Sequence, residues 1–204
     1  MSELTPTRSL LIALADERRT MREGYAFLDE KCLLLAGEML RQVRVQQTLS
    51  RELAALTNAA HEALSAALGR HGLHGLQVYP ATISRRRLRV EPSPLLGVTT
   101  VSARVIGEAG QAPAAVNPSP EAEACRAAWT RVADHLARMA AVSTTLARLY
   151  AEYRRTVRRV RALQDVLLPE IDADIADIDT RLEDLEREDA IAMRPRRAAT
   201  SAGA

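Results

Sequence analysis

The residues whose types suit chemistry are few, and they are widely spaced along this 204-residue chain. His71 and His74 stand at the spacing HxxH that could hold a metal ion, but no third or fourth ligand follows them. His61 and His135 fall within helical stretches and read as surface or flank residues. Cys32 and Cys125 form no CxxC or CxH pattern, so reduced thiols filling apolar positions are expected. The carboxylates from Asp172 to Asp189 are spread by helical spacing around a polar face, whereas paired-carboxylate catalysis needs a cleft that drives their proton affinities apart. A phosphate-binding loop would need GxxxxGK[ST]; Lys31, the one lysine, lies outside such a context, and Gly107-Glu-Ala-Gly110 is a plain loop. Two arginine clusters, Arg85-Arg86-Arg87-Leu88-Arg89 and Arg154 to Arg161, suit phosphates or acidic protein surfaces. No aromatic residues interleave with them, which favours an acidic protein partner over nucleic acid. The expectation is therefore no catalytic residue, no cofactor and no metal site.

The elements that would position these residues follow from composition and period. Hydrophobic residues make up 47% of the chain and charged residues 26%, enough for an apolar seam and against wholesale disorder. Aromatic residues are only 3%, too few for a thick layered core, and the abundant alanine, leucine, arginine and acids suit long helices. No run approaches the roughly 18 apolar residues of a membrane span, and the short apolar run from Ser9 to Ala15 does not read as a signal peptide.

From Leu11 the chain alternates steps of three and four through Leu14, Arg18, Met21, Tyr25, Leu28, Cys32, Leu35, Met39, Gln42, Gln46, Leu49, Leu53, Leu56, Ala60, Ala63 and Ala67. A register held this long argues for a coiled coil. Thr5-Pro6 is the expected N-cap, and Gly69 and Gly72 are natural stops. A second run opens with Ser119-Pro120-Glu121. Its seam reads Cys125, Trp129, Val132, Leu136, Met139, Ser143, Leu146, Tyr150, Tyr153, Val157, Val160, Gln164, Leu167, Ile171, Ile175, Ile178, Leu182 and Leu185. Two successive steps of four between Leu167 and Ile175 form a stutter, and Pro169 lies inside it, so a bend is expected there.

Between these runs, Thr82 to Val90 and Val98 to Val105 read as strands, with Glu91-Pro-Ser-Pro94 and Gly97 as the connection, and Gly107 to Pro118 reads as a linker. The expected fold is mostly α: a long antiparallel two-helix coiled coil with a small β-hairpin insert. Its segments are an N-terminal helix over 5–70, a hairpin-containing insert and linker over 71–119, a C-terminal helix over 120–192 and a flexible tail over 193–204. At about 1.5 Å per residue each helix would extend roughly 90–100 Å.

If the helices meet at the insert, residues pair when their numbers sum to about 190. That places Arg18, Arg19 and Arg22 beside Asp172 and Asp174, and Arg154, Arg155, Arg158 and Arg159 beside Asp29, Glu30 and Glu38. Such complementarity favours one chain folding back on itself and sets register more than it adds stability. Cys32 and Cys125 then lie roughly 50 Å apart, beyond disulfide reach.

Several stretches carry a family resemblance. Pro6-Thr7-Arg8-Ser-Leu-Leu and Gly24-Tyr-Ala-Phe-Leu28-Asp-Glu-Lys31 resemble the opening of the D subunits of the V-type/A-type ATPases. Arg158-Arg159-Val160-Arg161-Ala162-Leu163-Gln164-Asp-Val-Leu-Leu-Pro169, with Leu182 to Glu188, is similar to that family's C-terminal signature, and Ser93-Pro-Leu-Leu-Gly97-Val98 to its central segment. The chain departs from the family's pattern at Cys32, where arginine is usual, at Arg161-Ala162-Leu163-Gln164, where Asn-Ala-Leu-Glu is usual, and at its arginine-rich end.

The resemblance implies a non-catalytic central rotor shaft. It would transmit torque between the ring of A and B subunits and the membrane ring, coupling ATP hydrolysis or synthesis to proton or sodium transport. It also implies binding to the small F subunit and to the funnel-shaped, C-type adaptor, with no nucleic acid and no direct membrane insertion, and a cytoplasmic place at the inner membrane face. The bearing within the catalytic ring is expected at Pro6, Thr7, Arg8, Leu11, Arg18, Arg22, Pro169, Ile178, Leu182 and Leu185. The stalk-partner surface is expected at Val78, Ile83, Leu88, Val90, Leu96, Gly97, Val98 and Val101. A prefoldin-like chaperone and a coiled-coil scaffold or adaptor use similar elements and stay open as alternatives.

Overall fold

A computed structural model describes residues 6–80, 86–107 and 113–193. The order of elements is α1 (Arg8–Gln77), β1 (Arg87–Leu95), β2 (Val98–Ile106), α2 (Pro120–Ala162), one π-helical turn (Leu163–Leu167) and α3 (Leu168–Ala192). Ile83, Arg85 and the expected tail from residue 194 onward lie outside the described residues, as does Thr5.

The starts of α1 and α2 are made by side-chain caps. Thr7 receives the Leu10 N–H on its Oγ1 at 3.2 Å, and α1 begins at Arg8. Ser119 does the same for Ala122 at 3.1 Å, with Pro120 at the first helical position. Gly72 does break the helical path, at φ 68°, but helical turns resume and carry α1 to Gln77, past the expected end near residue 70.

The fold divides into two compact units: Met1–Cys32 with Arg155–Ala204, and Leu33–Arg154. In the first, the seam of α1 meets α3 and the end of α2, with Ile171, Ile178 and Val160 buried. In the second, Leu35 and Leu149 are fully buried against Val98, with Met39, Leu96 and Tyr153 around them. A second cluster joins Ala60, Ala128 and Val132 with Leu53, Leu56 and Ala63. Every position in the expected α1 seam from Leu11 to Ala67 is buried or half-buried.

The α2 seam differs from expectation. Trp129, Leu136 and Tyr150 are 37%, 46% and 51% exposed, and the buried positions are their predecessors Ala128, His135 and Leu149. Thr145 likewise replaces Leu146 as the fully covered residue of its turn. The reason is that α2 has two neighbours. One side packs on α1 and the other on β2, so the covered arc is rotated toward the hairpin, and small residues permit close approach.

The disturbance expected at Pro169 takes the form of a wide turn. Proline has no N–H, and its ring collides with the carbonyl four residues back in a regular helix. The preceding turn opens instead, and the Leu168 N–H bonds to the Leu163 carbonyl, five residues back. Half-buried side chains therefore step from Leu163 to Leu168 and on to buried Ile171, while Gln164 and Leu167, expected in the seam, are exposed. The stutter is real but is absorbed in one step of five.

The hairpin also differs in detail. Glu91-Pro-Ser-Pro94 is strand, not turn; the turn is Leu96-Gly97, with φ of 52° and 82°, the mirror-image geometry that matches strand twist. Leu96 is strained by about 1–2 kcal/mol in that conformation, and its packing against the Leu35–Val98–Leu149 cluster opposes the strain. Counting from the Leu95–Val98 pair, Pro92 and Pro94 face Val101 and Thr99 at the sites that exchange no hydrogen bonds across the hairpin. Their missing N–H groups fall on the outer edge of β1, where they also discourage further strand addition. On the matching edge of β2, Thr145 Oγ1 accepts from the Val101 N–H at 3.0 Å and donates to the Val101 carbonyl at 3.1 Å, and Arg148 donates to the Thr99 carbonyl at 2.8 Å. The hairpin thus lies along the side of α2. Closing the ends of α1 and α2 falls to other groups: His71 meets Ser119 Oγ at 2.6 Å, and Arg126 donates to the Pro80 carbonyl at 2.8 Å.

Candidate functional site

The two ends of the chain come together in the first unit. Arg8 binds Glu186, and Arg18 and Arg22 bind the two carboxylate oxygens of Asp172 at 3.2 and 3.7 Å. Tyr25 donates to Gln164 Oε1 at 3.4 Å. These partners obey the register in which residue numbers sum to about 190. Arg19 turns to Asp16 on its own helix instead. A shallow groove open to solvent runs between the helices, lined by Arg8, Leu11, Ile12, Asp179, Leu182 and Glu186. Of the residues expected at a bearing, Ile178 is buried and serves the seam; Pro6, Leu11, Arg18 and Leu182 are half-buried; Thr7, Arg8, Arg22, Pro169 and Leu185 are exposed. Ile12 adds an exposed apolar side chain beside them, 63% accessible.

The hairpin of the second unit presents a different surface. Leu88 and Val90 stand exposed on β1, and Val78 is exposed after the end of α1. Gly97 is exposed, Leu96 and Val101 are half-buried, and Val98 is core. Val98 is therefore committed to packing and leaves the outward surface to Leu88, Val90 and the prolines.

Several of the described groups that could have done chemistry have structural partners. The His71 ring is engaged by Ser119 and lies edge-on to Tyr79, and His61 lies edge-on to Trp129. His135, expected on the surface, is only 2% exposed. Its Nε2 donates to the Leu49 carbonyl at 2.7 Å, and its Nδ1 accepts from Arg138 at 3.1 Å, with Glu52 3.7 Å away. This is a polar pin across the seam, and nothing in the helical period distinguishes it from a surface histidine. Arg181 pairs with Asp177, and Arg187 with Glu183 and Asp184, along α3 itself. Glu38 is held by Arg41 and Gln42 of its own helix; the Arg41 hydrogen bonds keep its carboxyl below the usual range. Cys32 and Cys125 are free and buried, and burial, with Asp29 nearby, raises the Cys32 thiol above its ordinary value. Among the described residues no group of three or more metal-ligating side chains forms, and no helix is long and apolar enough to cross a membrane.

The two surfaces differ in kind: half-buried apolar side chains edged by arginine–carboxylate pairs at one, an exposed strand at the other. The family model for the ATP synthase D subunit matches residues 10–195. The V-type ATP synthase D subunit of Thermus thermophilus is 31% identical, with 95% of this chain and 87% of that one covered. The A-type ATP synthase D subunit of Desulfurococcus sp. (strain SY) is also 31% identical, covering 90% and 88%. The V-type ATP synthase D subunit of Thermotoga neapolitana is 24% identical over 94% and 95%. With the match running from the first turn of α1 past the end of α3, this chain belongs to the ATP synthase D-subunit family.

Proposed function

We propose that this chain is the central rotor shaft of a V/A-type rotary ATPase, a non-catalytic subunit peripheral to the inner face of the membrane. The observation that carries the reading is the pairing of the two chain ends in one register, Arg8 with Glu186 and Arg18 with Asp172, within a chain matched to the family over nearly its whole length. A double-helical end of this kind suits insertion into a ring of alternating A and B subunits. Pro6, Thr7, Arg8, Leu11, Arg18, Arg22, Pro169, Leu182 and Leu185 would form the bearing there, with Ile178 holding the helices together beneath it.

An asymmetric shaft cannot meet three catalytic sites alike. Each angle favours a different set of open and closed ring conformations, which is differential binding at an interface. Nucleotide turnover in the ring then turns the shaft, or imposed rotation drives synthesis, and the coupled ion is a proton or sodium. Val78, Ile83, Leu88, Val90, Leu96, Gly97 and Val101 would face the stalk partners, the F subunit and the funnel-shaped C-type adaptor, with Val98 supporting them from the core. Co-purification tests the assignment: a tagged chain should bring down a phosphate-loop ATPase ring. A hexamer of similar small chains would instead mean a prefoldin-like chaperone, and recovery of the chain alone would end the rotor reading.

The wide turn at Leu163–Leu167 is the proposed source of eccentricity near the bearing. Pro169→Ala restores one hydrogen bond, worth about 0.5–1.5 kcal/mol. Closing the turn would also rotate Ile171 and Ile178 off the seam, where burying each contributes about 1.5–3 kcal/mol. The seam wins, so Pro169→Ala alone is expected to keep the wide turn. Deleting Val166 together with Pro169→Ala removes the extra residue and leaves a regular helix on the same seam. That variant should fold with a near-normal melting point yet lose coupling between ATP hydrolysis and ion transport; unchanged coupling would refute the role of the turn.

A further inference from the structure

Beside the base of the hairpin, α1, α2 and β2 border a second open groove, floored by half-buried Leu56 and Val105. Arg104, Arg131 and Arg138 line it, and their charges are poorly matched. Arg104 shares a single Glu91 oxygen with Arg89, at 3.0 and 2.9 Å. Arg138 spends its contact on Nδ1 of His135 rather than on a carboxylate. Among the described residues Arg131 has no acidic partner, and the nearest carboxylate on its helix, Asp134, is taken by Arg86. Two guanidinium groups without a carboxylate among the described residues, Arg131 and Arg138, and a third that shares one, around an apolar floor, are a half-made interface.

We propose that this groove binds an acidic helical segment of a partner protein, with carboxylates meeting Arg131 and Arg138 and an apolar side chain covering Leu56 and Val105. The proposal deepens the stalk-docking reading of the insert and rests on it. Two features favour a protein helix over a nucleic acid. Arg131 and Arg138 lie seven residues apart, about 10.5 Å along α2, which is the spacing of carboxylates two turns apart on a facing helix. Glu91, Asp134 and Glu52 are interspersed among the arginines and would repel a continuous phosphate chain, whereas a peptide can place its acids only where the arginines are.

The test uses the full chain and a fluorescent peptide of about 20 residues made of alanine, leucine and glutamate, with glutamates seven apart. Its controls are a scrambled peptide of the same composition and a short DNA duplex. The peptide should bind with an affinity that falls as salt rises. Arg131→Glu alone, which breaks no contact within the described chain, should weaken binding about tenfold, and Arg131→Glu with Arg138→Glu should abolish it. Melting curves of the single variant should be unchanged. Equal binding by the scrambled peptide, a duplex that binds as tightly and is lost with the same substitutions, or indifference to Arg131→Glu would each overturn the proposal. Recovery of the ATPase ring is scored separately. A chain that binds the peptide but never recovers a ring sinks the rotor reading, and one that recovers the ring but ignores Arg131→Glu sinks only the groove.

Discussion

Leu149→Ala is expected to destabilise the second unit by about 3 kcal/mol, with a fall in melting temperature of about 6–12 °C for a chain of this size. Leu149 is fully buried, and it touches both the α1 seam, through Leu35, and the hairpin tip, through Val98. The helices are held by side chains on both flanks, so the cavity can collapse only partly. Leu149→Met, which conserves volume, should cost less than about 1.5 kcal/mol. Thermal or urea unfolding followed by circular dichroism checks both. Equal, small effects of the two substitutions would mean that this cluster does not hold the unit together.

Thr145→Val is the second large effect, and it isolates one hydroxyl. The substitution keeps the shape of the side chain but removes the group that serves both the N–H and the carbonyl of Val101. Leaving a backbone pair unsatisfied at a partly covered edge costs about 1–3 kcal/mol. The loss should be local, because Arg148 and Val98 still tether the hairpin. Amide hydrogen exchange should therefore quicken across Val98 to Ile106 while the α1 seam near Leu49 stays protected. Uniform acceleration across the chain would contradict this, as would none.

The ease of reading α1 and the difficulty of reading α2 share a physical cause. The covered seam positions of α1 recur at steps of three and four and are mostly apolar, Arg18, Gln42 and Gln46 apart, so hydrophobic period and burial largely coincide. On α2 three large side chains expected in the seam, Trp129, Leu136 and Tyr150, sit one place beyond the covered arc; Trp129 meets His61, and Tyr150 lies under Arg154. Several covered positions there are held by small or polar residues, Ala128, His135 and Thr145, which a search for large apolar side chains passes over.

The hairpin itself was legible from its β-branched runs, but the register was not. Pro92 and Pro94 look like turn residues until the pairing shows that they sit opposite Val101 and Thr99, with their backbone nitrogens turned away from the partner strand. At the chain ends the charge pattern was informative. Arg18 and Arg22 meet Asp172 as complementarity requires, because an antiparallel pair brings those turns side by side. The groove at the hairpin base was only half visible: Arg86, Arg87 and Arg89 announce a basic surface, while Arg131 and Arg138 join it through the fold alone.

Rotation of this chain is what the account requires above all. The decisive measurement fixes the ATPase ring of the assembled complex to a surface, attaches a bead to an exposed hairpin position such as Ser102, and follows its angle when ATP is added. Continuous turning in one direction that stops when ATP is exhausted is the predicted result. A bead that stays still while the same complexes hydrolyse ATP would contradict the account.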